Sequence, residues 1–477
     1  MRFTVLTFGV AILFGAPLAI AGPALTLPSV TVGKNLQMNA TVTLAQPAAD
    51  TGLQLTVTSD DPSRLLLSTD PEQAGSAKIS VKVNSKFRES REFWLQGLSD
   101  HGSATYTVTA EGMETANGVV TLAPSAIVIV GPFKQPTFPT TPRGPAAKIT
   151  VASVVLNAAN KVEKEQQIAG GRQVEVTIAN SSPEVGKLGA SKLTVAGGSS
   201  FAVTQFQATA VGNATLTPVQ PAGFTAAAQY ANVTFAVALP GLAIVGETYI
   251  GKNLQLAGNI ALGEMAPAGG VKVTLTSSDP SKLVLAGKED QVGSASLTVT
   301  VPEGKFTAPY FLQALGDSGE VTYEAAAPGF RSRTARLGLA PSGLIVAFSH
   351  YGPPDEAMVL RKGALADSRE FFVSLAEAKE QKTYLTVYTA YLHPDTGRVA
   401  DITVQPLRPG ATATAILNSS NPEVAGIESP VTIRSGATHA NSQFSPKVKG
   451  TTVISVQTPS GFASPKNATS VPATVND

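Results

Sequence analysis

The chain of 477 residues contains no cysteine. That absence excludes a disulfide scaffold, zinc sites with cysteine ligands, a cysteine nucleophile and anchoring through a lipidated cysteine. For an exported protein, a chain without disulfides is more typical of the bacterial periplasm or surface than of an animal ectodomain. The fold must therefore depend on hydrophobic burial, and hydrophobic residues make up 43% of the chain.

Charged residues are also scarce. They form 14% of the chain, well below the roughly 25% of an average soluble domain. The formal net charge is +1, and lysine and arginine form no runs. The sequence thus offers no electrostatic surface for nucleic acid or for an anionic membrane. Small and hydroxyl-bearing side chains must cover most of the surface instead.

The N-terminal segment has the composition of a secretory signal peptide. Arg2 supplies the positive charge, an apolar stretch follows, and Ala19 and Ala21 form a small-x-small cleavage site. The alternative is an uncleaved membrane anchor, which Gly15 and Pro17 disfavour. No second long hydrophobic stretch follows, so we expect a secreted mature chain without a membrane span. Its expected location is the periplasm, the extracellular space or the cell surface of a bacterium.

A polar turn that follows an alternating apolar run recurs along the chain. Residues 58–67 read TSDDPSRLLL and residues 276–285 read TSSDPSKLVL. Weaker copies begin at Asn180 and Asn418. Four such turns indicate four copies of one small β module.

A second recurring motif supports this interpretation. Residues 33–37 read Gly-Lys-Asn-Leu-Gln, and the same five residues recur at 251–255. The first and third modules match in this way, and the second matches the fourth. The pattern predicts a two-module unit that is used twice.

Within each module, short alternating runs are separated by turns, and helical periodicity is almost absent. Leu53, Leu55 and Val57, for example, fall on one face of a run. Such a pattern predicts a two-sheet antiparallel β-sandwich, because each sheet buries every second residue. The predicted fold class is therefore all-β, with four tandem sandwiches in an A-B-A-B duplication.

The predicted boundaries follow from these repeats. They are a signal peptide (1–21), a first sandwich (24–130), a proline-rich linker (131–145), a second sandwich (146–239), a third sandwich (240–348), a linker with an extra strand (349–382) and a fourth sandwich (383–477). We expect the proline-rich linker to be a stiff spacer of up to about 45 Å. The extra strand is expected at the edge of the fourth sandwich, and residues 375–382 could instead form a short helical turn.

The recurring features resemble the bacterial immunoglobulin-like domains found in tandem in secreted and surface proteins. They are the Ser-Ser-Asp-Pro turn after a strand, a later strand with a tyrosine (Tyr106 and Tyr323), and the Pro-Gly-Phe segment at 328–330. The resemblance covers essentially the whole mature chain. It implies immunoglobulin-like sandwiches that form a stalk, a spacer or an adhesive array, and it implies no ligand.

The sequence shows little sign of catalytic or metal chemistry. The four histidines, His101, His350, His393 and His439, are expected in separate turns or linkers, whereas a metal or catalytic site needs convergence. Asp61 and its counterparts in the repeated turns could bind structural calcium, but Asp in such a turn usually caps its own backbone. We therefore expect no cofactor and no enzyme activity.

The remaining candidates for ligand contact are aromatic. Tyr384 and Tyr388 share one face of the strand that opens the fourth module, and His393 follows. The alternative is that these rings are half-buried core residues. We expect a non-catalytic array whose partner is an unknown protein or glycan at a cell surface. The alternatives are a polysaccharide- or protein-ligand-binding protein with one specialised module, and an accessory subunit of an exported enzyme system.

Overall fold

The computed structural model describes residues 25–246, 248–351, 370–399 and 404–477. Within these ranges the chain is almost entirely β-structure, arranged as immunoglobulin-like sandwiches, and the predicted all-β class is confirmed. The chain divides between Ala238 and Leu239 into two compact units. The predicted signal peptide lies outside the described residues.

The first sandwich belongs to the first unit. Its strands are β1 (Leu25–Thr26), β2 (Val30–Gly33), β3 (Leu36–Ala40), β4 (Thr43–Leu44), β5 (Leu53–Ser59), β6 (Leu65–Ser68), β7 (Lys78–Val83), β8 (Phe93–Gly97), β9 (Ser103–Ala110) and β10 (Ala116–Ala123). One sheet has the order β2-β10-β9-β5-β7 and the other contains β3-β8-β6. β2 runs parallel to β10, and the other pairs are antiparallel. Alternate residues such as Leu55, Val57 and Val108 fill the core between the sheets.

The second sandwich completes the first unit. Its elements are β11 (Ser125–Val130), a 3-10 turn (Pro132–Lys134), β12 (Thr137–Thr140), β13 (Ala147–Leu156), β14 (Val162–Glu165), β15 (Gln167–Ile168), β16 (Gln173–Asn180), β17 (Gly186–Leu188), β18 (Lys192–Ala196), β19 (Phe201–Ala208), β20 (Gly212–Val219) and β21 (Val233–Val237). Its sheets have the orders β11-β13-β19-β17 and β12-β21-β20-β16-β18. A stacked pair of rings, Phe206 and Phe235, lies in the core between them.

The third sandwich opens the second unit. Its strands are β22 (Leu242–Val245), β23 (Tyr249–Gly251), β24 (Gln255–Leu262), β25 (Val271–Ser277), β26 (Leu283–Ala286), β27 (Ser296–Val301), β28 (Thr307–Ala314), β29 (Glu320–Ala326) and β30 (Arg333–Ala340). The sheet order β23-β30-β29-β25-β27 matches β2-β10-β9-β5-β7 of the first sandwich, including the parallel first pair.

The fourth sandwich follows the same plan as the second. Its elements are β31 (Ser342–Tyr351), β32 (Phe371–Ser374), α1 (Leu375–Glu380), β33 (Thr383–Tyr391), β34 (Ala413–Ser419), β35 (Ala425–Ile427), β36 (Val431–Ile433), β37 (His439–Pro446), β38 (Gly450–Gln457) and β39 (Ser470–Asn476). The orders β31-β33-β37-β35 and β32-β39-β38-β34-β36 match those of the second sandwich.

The sheets do not divide at the predicted residue 130. β11 pairs with β13, from Ser125 opposite Val155 to Val130 opposite Thr150, so it belongs to the second sandwich. Pro124 separates β10 from β11, and because proline has no N–H to donate, it interrupts the ladder there. The chain thereby leaves one sheet and enters the next.

Residues 131–145, predicted as an extended spacer, contribute a strand instead. β12 pairs in parallel with β21 at the edge of the second sandwich. Pro139 is accommodated because one side of an edge strand makes no ladder bonds. In the region 349–382, β32 forms the equivalent edge strand beside β39, and α1 follows it. Residues 352–369 of that region lie outside the described residues.

Candidate functional site

The three residues predicted to contact a ligand do not form one exposed cluster. Tyr388 is only 4% exposed, its ring centroid lies 5.7 Å from that of His439, and burial raises the pKa of its phenol. Tyr384 is partly buried and lies at the start of β33, four residues before Tyr388. His393 is exposed in the turn after β33, where its Nδ1 accepts a hydrogen bond from the amide of Asp395. Ligand contact by these residues stays a prediction.

The acidic turns act as backbone caps. Asp61 Oδ1 accepts hydrogen bonds from the amide and hydroxyl of Ser63 at 3.1 and 2.5 Å. Asp279 makes the same two bonds to Ser281. Among the described residues, no group of three or more His, Asp or Glu side chains is placed to hold a metal ion. His439 lies at the start of β37 rather than in a turn, and burial lowers its pKa.

The motif that occurs at 33–37 and 251–255 lies where the two sandwiches of each unit meet. We call this contact the joint. Leu36 is carried by β3 of the first sandwich, yet it is fully buried in the core of the second. Leu254 is likewise buried in the core of the fourth sandwich. In the first unit β15 also pairs with β3, so one sheet receives strands from both sandwiches.

A buried glutamine of the second sandwich binds the backbone of the first. Gln166 Oε1 accepts from the Gly33 amide at 2.9 Å, and its Nε2 donates to the Thr31 carbonyl at 2.7 Å. Gln405 makes the same pair of bonds in the second unit, to the Gly251 amide and the Tyr249 carbonyl, each at 3.0 Å. Each glutamine therefore replaces a missing strand neighbour along β2 or β23.

A second glutamine pair supports the joint from the side of the first sandwich. Gln37 and Gln96 are 1% and 2% exposed, and Gln96 Nε2 donates to Gln37 Oε1 at 3.0 Å. Gln37 Oε1 also accepts from the Gly170 amide of the second sandwich at 2.9 Å. Such buried amides stabilise a fold only when their hydrogen bonds are made.

The second unit keeps this glutamine pair but lacks the backbone amide bond that Gly170 donates to it in the first unit. Gln313 Nε2 lies 3.4 Å from Gln255 Oε1. The position of Gly170 is taken by Pro409, because Arg408 donates its amide to Asn253 as the residue before Gly170 does to Asn35. Proline has no N–H, so the hydrogen bond from position 170 has no counterpart.

The turn between β2 and β3, residues 34 and 35 of the motif, is stabilised by contacts of Lys34 and Asn35. Asn35 has a φ of 64°, a left-handed conformation that Asn tolerates better than most residues. Its Nδ2 donates to the Gly223 carbonyl across the joint at 3.4 Å. Lys34 Nζ lies 3.1 Å from Asp100 Oδ2, and hydrogen bonds from His101 and Lys34 lower the pKa of Asp100 to about 2.

Two glycines permit a close backbone approach at the joint of the first unit. A Cβ on Gly170 would lie 2.3 Å from the carbonyl oxygen of Gln73. A Cβ on Gly171, which has a φ of 74°, would lie 2.6 Å from the Cβ of Ala74. Any larger residue would push the two sandwiches apart, so these glycines are required for the observed contact.

An open groove of about 330 Å³ runs beside this joint. Asn35, Arg172, Glu175 and Phe224 are among its lining residues. Both signs of charge are present, and the groove offers no convergent set of donors or acceptors. The described residues therefore support a structural contact here rather than a ligand site.

Sequence reasoning found the motif but not its role. The recurrence of Gly-Lys-Asn-Leu-Gln is a usable signal, because five consecutive residues recur in full. Gln166 and Gln405 gave no such signal, since Ala169 and Gly170 after the first correspond to Arg408 and Pro409 after the second.

Comparisons with known proteins yield distant likenesses only. No family model and no curated protein matches the chain. Among solved structures, a chain of the CaDoc0917–CaCohA2 complex shares 16% identity, with 21% of this chain and 98% of that chain covered and a TM-score of 0.16. A β-glycosidase from Bacteroides vulgatus shares 11% identity over 45% of this chain and 24% of that chain, with a TM-score of 0.16.

A glycosyl hydrolase family 2 member from Bacteroides cellulosilyticus shares 10% identity over 45% of this chain and 28% of that chain, with a TM-score of 0.17. The chain thus spans about a quarter of the length of these two hydrolases. At such identities and TM-scores, function has to be inferred from the geometry of the chain itself. No helix within the described ranges is long and apolar enough to cross a membrane.

Proposed function

We propose that the chain is a secreted, non-catalytic array of bacterial immunoglobulin-like modules that acts as a stalk, spacer or adhesion protein at a cell surface. The observation that carries this proposal is the joint. A leucine from one sandwich is buried in the core of the next, and a buried glutamine binds the neighbouring backbone. Such contacts oppose bending between the two sandwiches of a unit, and a spacer requires this resistance to bending.

Single-molecule pulling on the full chain tests the mechanical part of this proposal. We expect extension steps that correspond to the unfolding of whole sandwiches, without an earlier low-force step from opening of the joint. Gln166→Ala should introduce such a step, because it removes both bonds to β2. A low-force opening step in the unaltered chain would contradict a stiff joint.

The non-catalytic part has its own test. The purified chain is incubated with panels of glycoside, ester and peptide substrates, and we expect no turnover. Turnover that persists through successive purification steps and is abolished by one substitution in the chain would overturn this part.

A second candidate function is ligand binding by the fourth sandwich. The observation that favours it is a difference between corresponding sheet faces. In the fourth sandwich, Tyr388 of β33 lies opposite His439 of β37. At the corresponding place in the second sandwich, Ala152 of β13 lies opposite Phe201 of β19. A polar aromatic pair is therefore present in one unit and absent from the other.

Retention on a panel of insoluble glycans distinguishes the two functions. Binding by the fourth sandwich predicts retention that is lost in Tyr384→Ala and kept in Lys148→Ala, the corresponding change in the second sandwich. We chose Tyr384 because Tyr388 is too buried to be altered without disturbing the fold. The spacer function predicts no selective retention.

A further inference from the structure

A pocket of about 250 Å³ lies in the fourth sandwich between α1 and the end of β37. Leu375 and Ala378 of the helix line one side, and residues 443–447 line the other. Ser374 caps the helix by accepting hydrogen bonds from the amides of Ala376 and Glu377. The helix is therefore fixed as one wall of the pocket.

One buried hydroxyl group that lines this pocket has no hydrogen-bond partner among the described residues. Thr383, the first residue of β33, lines the pocket and is 1% exposed. Its Oγ1 makes no hydrogen bond within the part of the chain that the structure describes. Buried hydroxyls are rarely left unpaired, because the loss of their hydration is then uncompensated. A ligand oxygen that accepts from Thr383 would correct this.

The charged residues among the described lining residues of the pocket are all basic, namely Lys379, Lys382 and Lys447. An acidic group, the Glu428 carboxylate, lies 3.4 Å from the amide of the lining residue Gln443. Lys447 Nζ donates to the carbonyl of Pro422 at 2.9 Å, a neutral partner that leaves the positive charge in place. Ammonium groups only donate hydrogen bonds, so the lining favours a ligand that accepts them and carries negative charge.

The second sandwich lacks this arrangement. Ala147 lies opposite Phe206 there, as Thr383 lies opposite Phe444 in the fourth. Between β12 and β13, where every residue is described, there is no helix. Thr209 takes the place of Lys447, as their equivalent amide bonds to Val185 and Val424 show. The corresponding place in the second sandwich thus lacks the helix, the threonine and the lysine that line the pocket in the fourth.

We propose that this pocket binds a small oxyanion, the carboxylate or phosphate group of a ligand. The hydroxyl of Thr383 donates to one ligand oxygen, and the lysines neutralise the negative charge. The proposal does not depend on the spacer function, since a stalk module and a ligand-binding module could both carry such a pocket.

Calorimetric titration of the full chain tests the proposal, with sodium phosphate and sodium acetate as the probes and sodium chloride as the ionic-strength control. We expect saturable binding of phosphate, acetate or both, and none of chloride. Binding of phosphate alone or of acetate alone identifies the preferred oxyanion. Absence of saturable binding with both probes would overturn the proposal.

Matched variants separate a built site from diffuse attraction. Lys379→Ala with Lys382→Ala should weaken binding about tenfold. Lys272→Ala with Lys288→Ala removes the same charge from exposed positions in the third sandwich and should leave the affinity unchanged. Equal weakening in both double variants would contradict a specific site. Thr383→Val should also weaken binding, and an unchanged affinity would mean that the hydroxyl does not contact the anion.

Discussion

Two buried tyrosines at corresponding positions differ in a single hydrogen bond. Tyr323 in β29 has its hydroxyl 2.9 Å from that of Tyr310 in β28. Tyr106 occupies the same place in β9, but its neighbour in β8 is Phe93, whose ring meets it edge-on at 6.1 Å. The hydroxyl of Tyr106 therefore has no hydrogen-bond partner among the described residues. The first unit thus has one buried hydroxyl without a described partner, whereas the corresponding hydroxyl in the second unit is hydrogen-bonded.

This difference predicts opposite effects for the same chemical change. Tyr106→Phe removes an unpartnered buried hydroxyl and should raise the free energy of opening around β9 by about 1 kcal/mol. Tyr310→Phe leaves the Tyr323 hydroxyl unpaired and should lower it around β29 by about 1–3 kcal/mol. Hydrogen exchange of peptides from the two strands measures both. A loss of protection in Tyr106→Phe would show that the hydroxyl has a stabilising partner.

Phe93→Tyr is the complementary variant. It places a second hydroxyl beside Tyr106, as Tyr310 does beside Tyr323, and should raise protection of β9 where the ring fits. A gain in Phe93→Tyr that disappears in the double variant with Tyr106→Phe would assign the effect to the hydrogen bond itself.

The same tyrosine predicts a loss of stability at high pH. Burial raises the pKa of Tyr106 to about 12, whereas the phenol of an unfolded chain titrates near 10. Because the folded pKa is the higher one, the stabilisation is complete below pH 10 and is lost as pH rises through about 12. Melting temperatures by circular dichroism should therefore fall across this interval.

Tyr106→Phe should reduce that fall, and Tyr230→Phe, at a 42% exposed position, should leave it unchanged. Burial also raises the pKa of Tyr310 and Tyr323, so some of the decline should remain in Tyr106→Phe. An identical pH profile in all three proteins would contradict the assignment.

At the scale of single elements, β3 contributes to two cores. Met38 and Ala40 contact the core of the first sandwich, whereas Leu36 lies in the core of the second. The strand therefore stabilises a sandwich to which it does not belong by sequence. A defect at its start should be felt beyond the joint.

Leu36→Ala tests this directly. Removal of a buried leucine side chain costs about 2–5 kcal/mol when the cavity does not collapse. We expect lower hydrogen-exchange protection in β13 and β16, which carry the surrounding core residues, and little change in β5. Leu55→Ala, a buried change wholly within the first sandwich, is the control. If Leu36→Ala lowered protection only in the first sandwich, β3 would not support the second core.

The alternating pattern of the sequence predicted core strands, but it did not predict every edge strand or which strands pair. Alternation predicted runs such as the one with Leu53, Leu55 and Val57, because a half-buried strand exposes every second residue. The edge strand β12 was missed, since Pro139 and its flanking prolines resemble a spacer locally. Its pairing with β21 depends on a strand almost a hundred residues away, which no local pattern encodes.

The joint was unpredictable for the same reason. Gln37 and Gln166 are polar residues that appear in sequence to be ordinary surface positions. Their burial follows only once the two sandwiches meet and each amide finds its partners. The predicted ligand residues show the opposite case. The spacing of Tyr384 and Tyr388 suggested an exposed binding face, yet Tyr388 is buried.

At the scale of the molecule, we propose that each two-sandwich unit is stiff. Three features of the first unit act on the same contact. They are the burial of Leu36 in the second core, the hydrogen bonds of Gln166 to β2 and the close backbone approach at Gly171. Interfaces between modules of one chain usually allow relative motion unless they are large or specifically bound. We expect the joint to be an exception because its contacts are buried and hydrogen-bonded.

The most direct test is a distance measurement across the joint of the first unit. The absence of cysteine allows spin labels to be placed only at Lys82→Cys and Lys187→Cys in the full chain. We predict a single narrow distribution of distances between the two spin labels, measured by double electron–electron resonance. Gly171→Ala should broaden it, whereas Gly112→Ala, with the same φ of 74° but no neighbour within 4 Å, should not. A broad or bimodal distribution in the otherwise unaltered chain would contradict a stiff two-sandwich unit.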